Sequence, residues 1–247
     1  MIPLGDEGTP QRSGFPIVNI TIIAINIAVF LLQLSTGLDN GPITTGWSLI
    51  PREIVTGQDL TGASGIPGLT LSEAPLHIVY LTLLTSMFMH GGWLHIGSNM
   101  LFLFIFGDNV EDNFGSLKYL VFYLLCGFGA DLAQIMLGGA DSTIPNLGAS
   151  GAIAGVLAAY LVLFPQARIR ALIALGIVFT VTYVPALIMI GLWIVTQILS
   201  VTLAGEQAAG GGGVAYWAHI GGFVTGLILV FLFRSRATRS AFLAFSR

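Results

Sequence analysis

The sequence predicts an all-α polytopic membrane protein, a bundle of six transmembrane helices with a long first loop partly inserted in the membrane. Three observations lead there. The 247 residues are 55% hydrophobic and only 9% charged, with a mean hydropathy of +0.87, whereas soluble domains carry roughly 25% charged residues. The apolar residues gather into runs near the roughly 20 residues that cross a bilayer core of about 30 Å. The basic residues fall almost entirely on one side of the resulting topology.

The spans are predicted at Ile17–Leu34, Leu94–Phe106, Leu117–Leu137, Gly148–Phe164, Pro185–Leu203 and Val214–Phe233. The second is short unless it takes in the apolar stretch from Ile78 onward. Together they form one integral membrane domain, with a six-helix core over 15–233, a short N-terminal tail over 1–14 and a basic tail over 234–247. The first residues are short and polar and lack the charged-then-apolar pattern of a cleavable leader, so no removable signal peptide is expected.

The longest loop runs from Gly37 to about His77 and is rich in Gly, Pro, Ser and Thr. A loop this long is usually functional. Trp47 and Leu49-Ile50-Pro51 suit the membrane interface, where aromatic rings are favoured. The alternative is an ordinary loop outside the membrane.

Charge sets the orientation. With the N-terminus inside, Arg12, Lys118, Arg168, Arg170, Arg234, Arg236, Arg239 and Arg247 lie inside, and only Arg52 lies outside. This positive-inside bias predicts a multi-pass protein of the cell (plasma) membrane with both termini cytoplasmic. Ala171–Val184 is the ambiguous segment. From Arg170 to Leu203 there are 34 residues, about 51 Å if helical at ~1.5 Å per residue, too long for one span and too short for two. A seventh crossing would also carry the arginine tail outside. The segment is therefore expected at the inner interface or as a broken extension, with Pro185 marking the change of direction.

Composition also excludes function classes. There is no basic patch for nucleic acid. Cys126 is the single cysteine, so no internal disulfide forms. His90, His95 and His219 lack the accompanying carboxylate or thiolate of a zinc-like site. No metal and no cofactor is expected, and the lipid bilayer is the expected partner.

In this topology, spans two, four and six run in the same direction. His95 and Asn99, Ser150, and His219 then share one depth near their outer ends. Polar groups inside a bilayer are costly and face the bundle interior or a wet cavity. Gly151-x-x-x-Gly155 and Gly222-x-x-x-Gly226 are patterns that let helix backbones approach closely. His219, Gly222 and Gly226 share a helical face, so packing through these glycines would bring His219 to Ser150. A serine hydroxyl needs an adjacent base to attack a carbonyl, and imidazole titrates near neutrality. Ser150 is thus the candidate nucleophile and His219 the general base. No acidic residue is placed to form a third member, which predicts a Ser–His dyad with an imidazole oriented by packing. His95 and Asn99, four apart on one face, are candidate donors to the oxyanion, with the Ser150 N–H at a helix start.

Other polar residues have plainer readings. His90, beside Gly91 and Gly92, reads as structural. Asp131 and Gln134 either line the same cavity or snorkel outward. Glu111 and Asp112 are expected to cap or orient the turn between spans two and three.

These residues resemble the rhomboid family of intramembrane serine proteases. The resemblance covers about Leu84 to Phe233. It is carried by His90-Gly91-Gly92-Trp93-Leu94-His95-Ile96-Gly97-Ser98-Asn99, by Phe106-Gly107 with Val110-Glu111 and Gly115, by Gly148-Ala149-Ser150-Gly151, and by Ala218-His219-Ile220-Gly221-Gly222. It implies a Ser150–His219 dyad, an oxyanion hole involving His95 and Asn99, and single-span membrane substrates often cut beside a small residue. Three departures stand out. The Trp-Arg pair of many first loops is absent. Asn113 stands where some members have arginine. Ala154 stands where some have an aromatic that stacks on the histidine, which leaves open how His219 is held.

Hydrolysis inside a membrane requires an external water-filled cavity. A substrate helix must unwind locally, helped by Gly or Pro, which weaken helices by about 1 and 3 kcal/mol. Entry is expected beside span five, with the first loop and the Gly205–Gly213 loop moving. The glycine run Gly210–Gly213 reads either as a lid hinge or as a plain linker. The competing class is a catalytically inactive rhomboid-like protein that binds membrane proteins or serves quality control. A transporter would show repeat symmetry, and none is seen.

Overall fold

The architecture comes from a computed structural model, which describes residues 1–9, 14–38, 41–60, 76–175, 178–204 and 214–234. Arg12, the loop section 61–75, the glycine run Gly210–Gly213 and the basic tail beyond 234 lie outside the described residues. The chain opens with strand β1 (Ile2–Glu7), then helix α1 (Ile17–Thr36) and two short helices, α2 (Pro42–Trp47) and α3 (Pro51–Thr56). Next come α4 (Leu76–Thr85), α5 (Trp93–Phe102), α6 (Asp108–Phe114), α7 (Ser116–Gly138) and α8 (Ser150–Leu163). Strands β2 (Arg168–Leu175) and β3 (Val178–Pro185) precede the last two helices, α9 (Ala186–Ala204) and α10 (Tyr216–Phe233).

Among the described residues, α1, α7, α9 and α10 are long and apolar enough to cross a membrane. The other two positions where the sequence places spans are filled by α8, of 14 residues, and by the interrupted helix Trp93–Phe114. The surface shows the solvent. Asn19, Asn26 and Gln33 recur every seven residues on α1 and are fully buried, while Ile17, Leu31 and Leu32 on the same helix are more than half exposed. Polar-in and apolar-out is the arrangement that lipid, not water, selects. The protein is a multi-pass membrane protein.

The second span is extended differently from the sequence expectation. The stretch from Ile78 belongs to a separate helix, α4, which ends in a 3-10 turn at Ser86–Phe88. The span begins at Trp93 and continues past Phe106 to Phe114 through a π-helical segment, Leu103–Gly107. A π segment leaves a backbone carbonyl poorly served. Here Asn19 Nδ2 donates to the Leu103 carbonyl at 3.0 Å, and Asn19 Oδ1 accepts from Tyr119 OH at 2.8 Å. A side chain at Gly107 would overlap Asn19 and Tyr119, so the approach of α1 depends on that glycine.

Glu111 closes this end of the bundle. Its carboxylate accepts from Val18 N–H at 3.1 Å, Asn19 N–H at 2.7 Å and Ser116 Oγ at 2.6 Å. It therefore caps α1 as well as holding the turn between α6 and α7. A carboxylate there also complements the positive end of the α1 dipole.

The segment Ala171–Val184 is not a broken helical extension: its described residues lie in two strands. It pairs as an antiparallel hairpin, Arg170 opposite Tyr183 and Leu172 opposite Val181, and β1 adds on the other side of β2 to give the order β1-β2-β3. The run Val178-Phe179-Thr180-Val181-Thr182-Tyr183-Val184 is entirely β-branched or aromatic, which favours a strand. Residues 1–14, read as a plain tail, likewise contribute a strand. Asp6 anchors that strand to the bundle, accepting from Tyr160 OH at 2.7 Å and Asn109 Nδ2 at 3.1 Å. The sheet sits at the end of α8 opposite Ser150.

Replacing Glu111 by alanine leaves two helix N–H groups without an acceptor. The expected cost is about 1–3 kcal/mol, read as a lowered thermal unfolding midpoint of the protein in detergent.

Candidate functional site

Ser150 is the first residue of α8, so its N–H is one of those a helix start leaves without an intrahelical acceptor. The loop that delivers it is fixed at several points. Leu49 and Asn146 exchange backbone hydrogen bonds at 3.0 and 2.7 Å, and the Gly148 N–H donates to the Ser86 carbonyl at 2.9 Å. Leu49 and Ile50 are buried. The described part of the first loop is therefore packed against the segment leading into the serine.

The helix contact that carries His219 is made of backbone. A methyl group at Gly222 would overlap the Gly151 carbonyl oxygen, and one at Gly226 would overlap Gly155. Gly155 in turn faces Cys126 on α7, which is fully buried. With no side chains between them, α8 and α10 approach closely enough for His219 Nε2 to lie 2.7 Å from Ser150 Oγ. The N-terminus of α10 is tied to α7 as well: Gln134 Oε1 accepts from the Ala218 N–H at 3.2 Å.

His95 and Asn99 lie one turn apart on α5. With Ser150 and His219 they line a cavity of about 650 Å³, walled further by Phe102, Leu157 and Trp193. The Gly91 N–H donates to His95 Nδ1 at 3.3 Å, which leaves the proton of the neutral ring on Nε2. That nitrogen abuts Gly148, where a Cβ would stand 2.8 Å away. Gly148 also has a φ of 135°, so two separate constraints call for glycine. Asn99 is 7% exposed, and its Nδ2 has no hydrogen-bond partner among the described residues. A buried donor left open is costly unless something is meant to occupy it.

His90 is fully buried, with its ring edge-on to His95 at 5.0 Å, and its N–H donates to Gln33 Oε1 at 2.9 Å. Asp131 lies behind the serine, on a small cavity of about 20 Å³ that Ser86, Gly148 and Ser150 also line. Among the described residues no group of three or more His, Cys, Asp or Glu could hold a metal ion.

Two residues escaped the sequence reading, Trp193 and Gln197, both on α9. The Trp193 ring lies 5.4 Å from the His219 ring at an interplanar angle of 38°. Gln197 Oε1 lies 2.8 Å from His219 Nδ1. The imidazole is therefore held by a hydrogen bond and an aromatic ring, not by packing alone. The stacking that Ala154 cannot supply from α8 comes from α9. The signal was present in the sequence: Gln197 is the one amide in α9, four residues after a tryptophan.

The arrangement is a hydroxyl in contact with an imidazole, with the unpartnered Asn99 amide on the same cavity. Residues 79–236 match the family model described as the Rhomboid domain. RHOMBOID-like protein 1 of Arabidopsis thaliana is 26% identical over 241 residues, 93% of this chain and 56% of the relative. Rhomboid-like protein 11, chloroplastic, of the same plant is 27% identical over 158 residues, 60% of this chain and 50% of the relative. Rhomboid protease GluP of Bacillus subtilis (strain 168) is 31% identical over 156 residues, 63% of this chain and 26% of the relative. The chain belongs to the rhomboid family. It spans about half the length, or less, of these three relatives.

Gly222→Val places a branched side chain against the Gly151 backbone. The expected outcome is separation of α8 from α10, read as a thermal midpoint several degrees lower, whereas the same change at exposed Gly97 leaves the midpoint unchanged.

Proposed function

We propose that this protein is an intramembrane serine endopeptidase that hydrolyses peptide bonds in or near the transmembrane segment of single-span membrane proteins. The observation that carries the reading is the 2.7 Å approach of His219 Nε2 to Ser150 Oγ on a cavity that the unpartnered Asn99 amide also lines. Membership in a family with relatives named as proteases supports it. The residues of the inactive alternative would be free to diverge; here serine, histidine, His95 and Asn99 face one cavity.

In this mechanism Ser150 Oγ attacks the scissile carbonyl carbon as its proton passes to His219 Nε2. The carbonyl π electrons move onto oxygen, and the oxyanion accepts hydrogen bonds from Asn99 Nδ2, His95 Nε2 and the Ser150 N–H. When the oxyanion collapses, the C–N bond breaks and His219 gives its proton to the departing amine. A water molecule then attacks the acyl-enzyme, losing a proton to His219, which returns it to Ser150 Oγ as the acid departs.

Substrate enters beside α9. The cavity lies between Leu94 and Phe102 of α5 and Trp193 of α9, and the outer face of α9 is apolar, with Leu187, Ile188 and Leu203 more than half exposed. We place the protein in the plasma membrane with both termini cytoplasmic, because eight of its nine basic residues then lie inside.

Purified protein is expected to cleave a model single-span substrate in detergent, with Ser150→Ala and His219→Ala inactive. Asn99→Ala and His95→Ala are each expected to slow turnover by about 10²–10³. Cleavage surviving in both Ser150→Ala and His219→Ala would overturn the assignment. A disulfide joining α5 to α9 is expected to block a membrane-embedded substrate, and full activity in the cross-linked protein would exclude entry there.

A further inference from the structure

A base that takes a proton from serine must present a bare Nε2. A neutral imidazole does so only when its proton sits on Nδ1. The tautomer of His219 is therefore part of the site, and the residue facing Nδ1 decides it. That residue is Gln197, which is 7% exposed, with Oε1 at 2.8 Å from Nδ1.

An amide has two ends of similar shape and opposite hydrogen-bonding sense, so its orientation needs its own cause. Gln197 Nε2 lies 3.1 Å from the Trp193 carbonyl oxygen and 3.1 Å from Thr196 Oγ1. The carbonyl can only accept. Thr196 spends its own proton on the same carbonyl, at 2.6 Å, so its oxygen accepts too. Both partners demand the NH2 end. The oxygen end is left to face His219, and the ring meets it by carrying the proton on Nδ1. A reversed amide would set an oxygen against the Trp193 oxygen and offer N–H to Nδ1. That would favour the proton on Nε2, where it points at the serine.

We propose that Gln197 is a positioning residue for His219, the third member of a Ser150–His219–Gln197 line in which a neutral amide, fixed by the α9 backbone, sets the imidazole tautomer. The proposal rests on the protease reading for its catalytic consequence but not for its geometry. The direction of control runs from the Trp193 carbonyl through the amide and the ring to Ser150 Oγ. Asparagine is too short to span the same gap from α9. Glutamate in its protonated form would reproduce both contacts, donating to the Trp193 carbonyl and accepting from Nδ1. Leucine or methionine would keep volume and lose the acceptor.

The test is nitrogen NMR of protein labelled with ¹⁵N-histidine, the His219 signals being assigned by their loss in His219→Ala. Wild type is expected to carry the proton on Nδ1. Gln197→Met is expected to shift His219 to a mixture of tautomers with the thermal midpoint little changed, and Gln197→Glu is expected to restore the Nδ1 proton. Should either variant fold poorly, wild type alone decides: an Nε2 proton on His219 would overturn the proposal. An unchanged tautomer in folded Gln197→Met would overturn it as well. Turnover of a model single-span substrate gives the catalytic arm. Gln197→Met is expected to lower kcat several-fold with KM unchanged, in proportion to the fraction of His219 that leaves the Nδ1 tautomer, short of the roughly 10⁴-fold loss of a histidine held wholly in the wrong one. An Nδ1 proton lost in Gln197→Met from a protein that cleaves nothing would sustain the positioning role and sink the protease reading. The converse, full cleavage by Gln197→Met, would sink the positioning role alone.

Discussion

The structure depends on a contact that has no side chains in it. Where α8 crosses α10, Gly222 and Gly226 lie against the carbonyls of Gly151 and Gly155. In lipid there is no hydrophobic drive between helices, and close backbone approach lets van der Waals contact take its place. The site inherits its geometry from this. Ser150 precedes Gly151 by one residue, and His219 precedes Gly222 by three, so the crossing that joins the glycines also sets the hydroxyl against the imidazole. A larger residue at the crossing would move chemistry and packing together.

Lipid as the outer solvent explains the rest of the arrangement. Each buried polar group must find a partner within the protein. Asn19 serves the π segment, Gln33 holds the backbone of His90, Glu111 caps α1, and Gln134 holds the start of α10. Asn99 Nδ2 is a buried donor with nothing to bond among the described residues, as are Ser86 Oγ and the His90 ring. Asn99 faces a cavity of about 650 Å³ that also holds Ser150, His219 and His95. Of the buried polar groups without a partner among the described residues, Asn99 is the one that lines this cavity.

Much of the fold was legible because apolar run length is a strong signal in a membrane protein. The boundaries of α1, α7, α9 and α10 fall within about two residues of the sequence reading, since each has a plain apolar run ending in glycine, proline or charge. The glycine pairs were legible because their spacing is that of one helical face. Three features were not. The hairpin was hidden because hydropathy is blind to the difference between an apolar strand and an apolar helix; the β-branched run from Val178 to Val184 would have separated them. The extension of span two to Phe114 was hidden because Asp108 and Glu111 read as a loop, whereas both lie in a helix, Asp108 accepting from Asn109 and Glu111 from α1 and α7. Gln197 was hidden because a carboxylate is the usual third member of such a site, and an amide meets the same geometric need without charge.

Holding the base from α9 has a consequence for how the molecule works. Trp193 and Gln197 contact His219 from the helix beside which substrate is proposed to enter, so outward movement of α9 would release the imidazole from both. Substrate admission and base orientation are thereby linked through one element. Underneath lies the claim that Ser150 is a nucleophile activated by His219. The most direct measurement is the rate at which a fluorophosphonate modifies the purified protein, with the adduct located by mass spectrometry. The expected result is a single adduct on Ser150 that forms far more slowly in His219→Ala. An adduct at another residue, or an equal rate on Ser150 without His219, would contradict the claim.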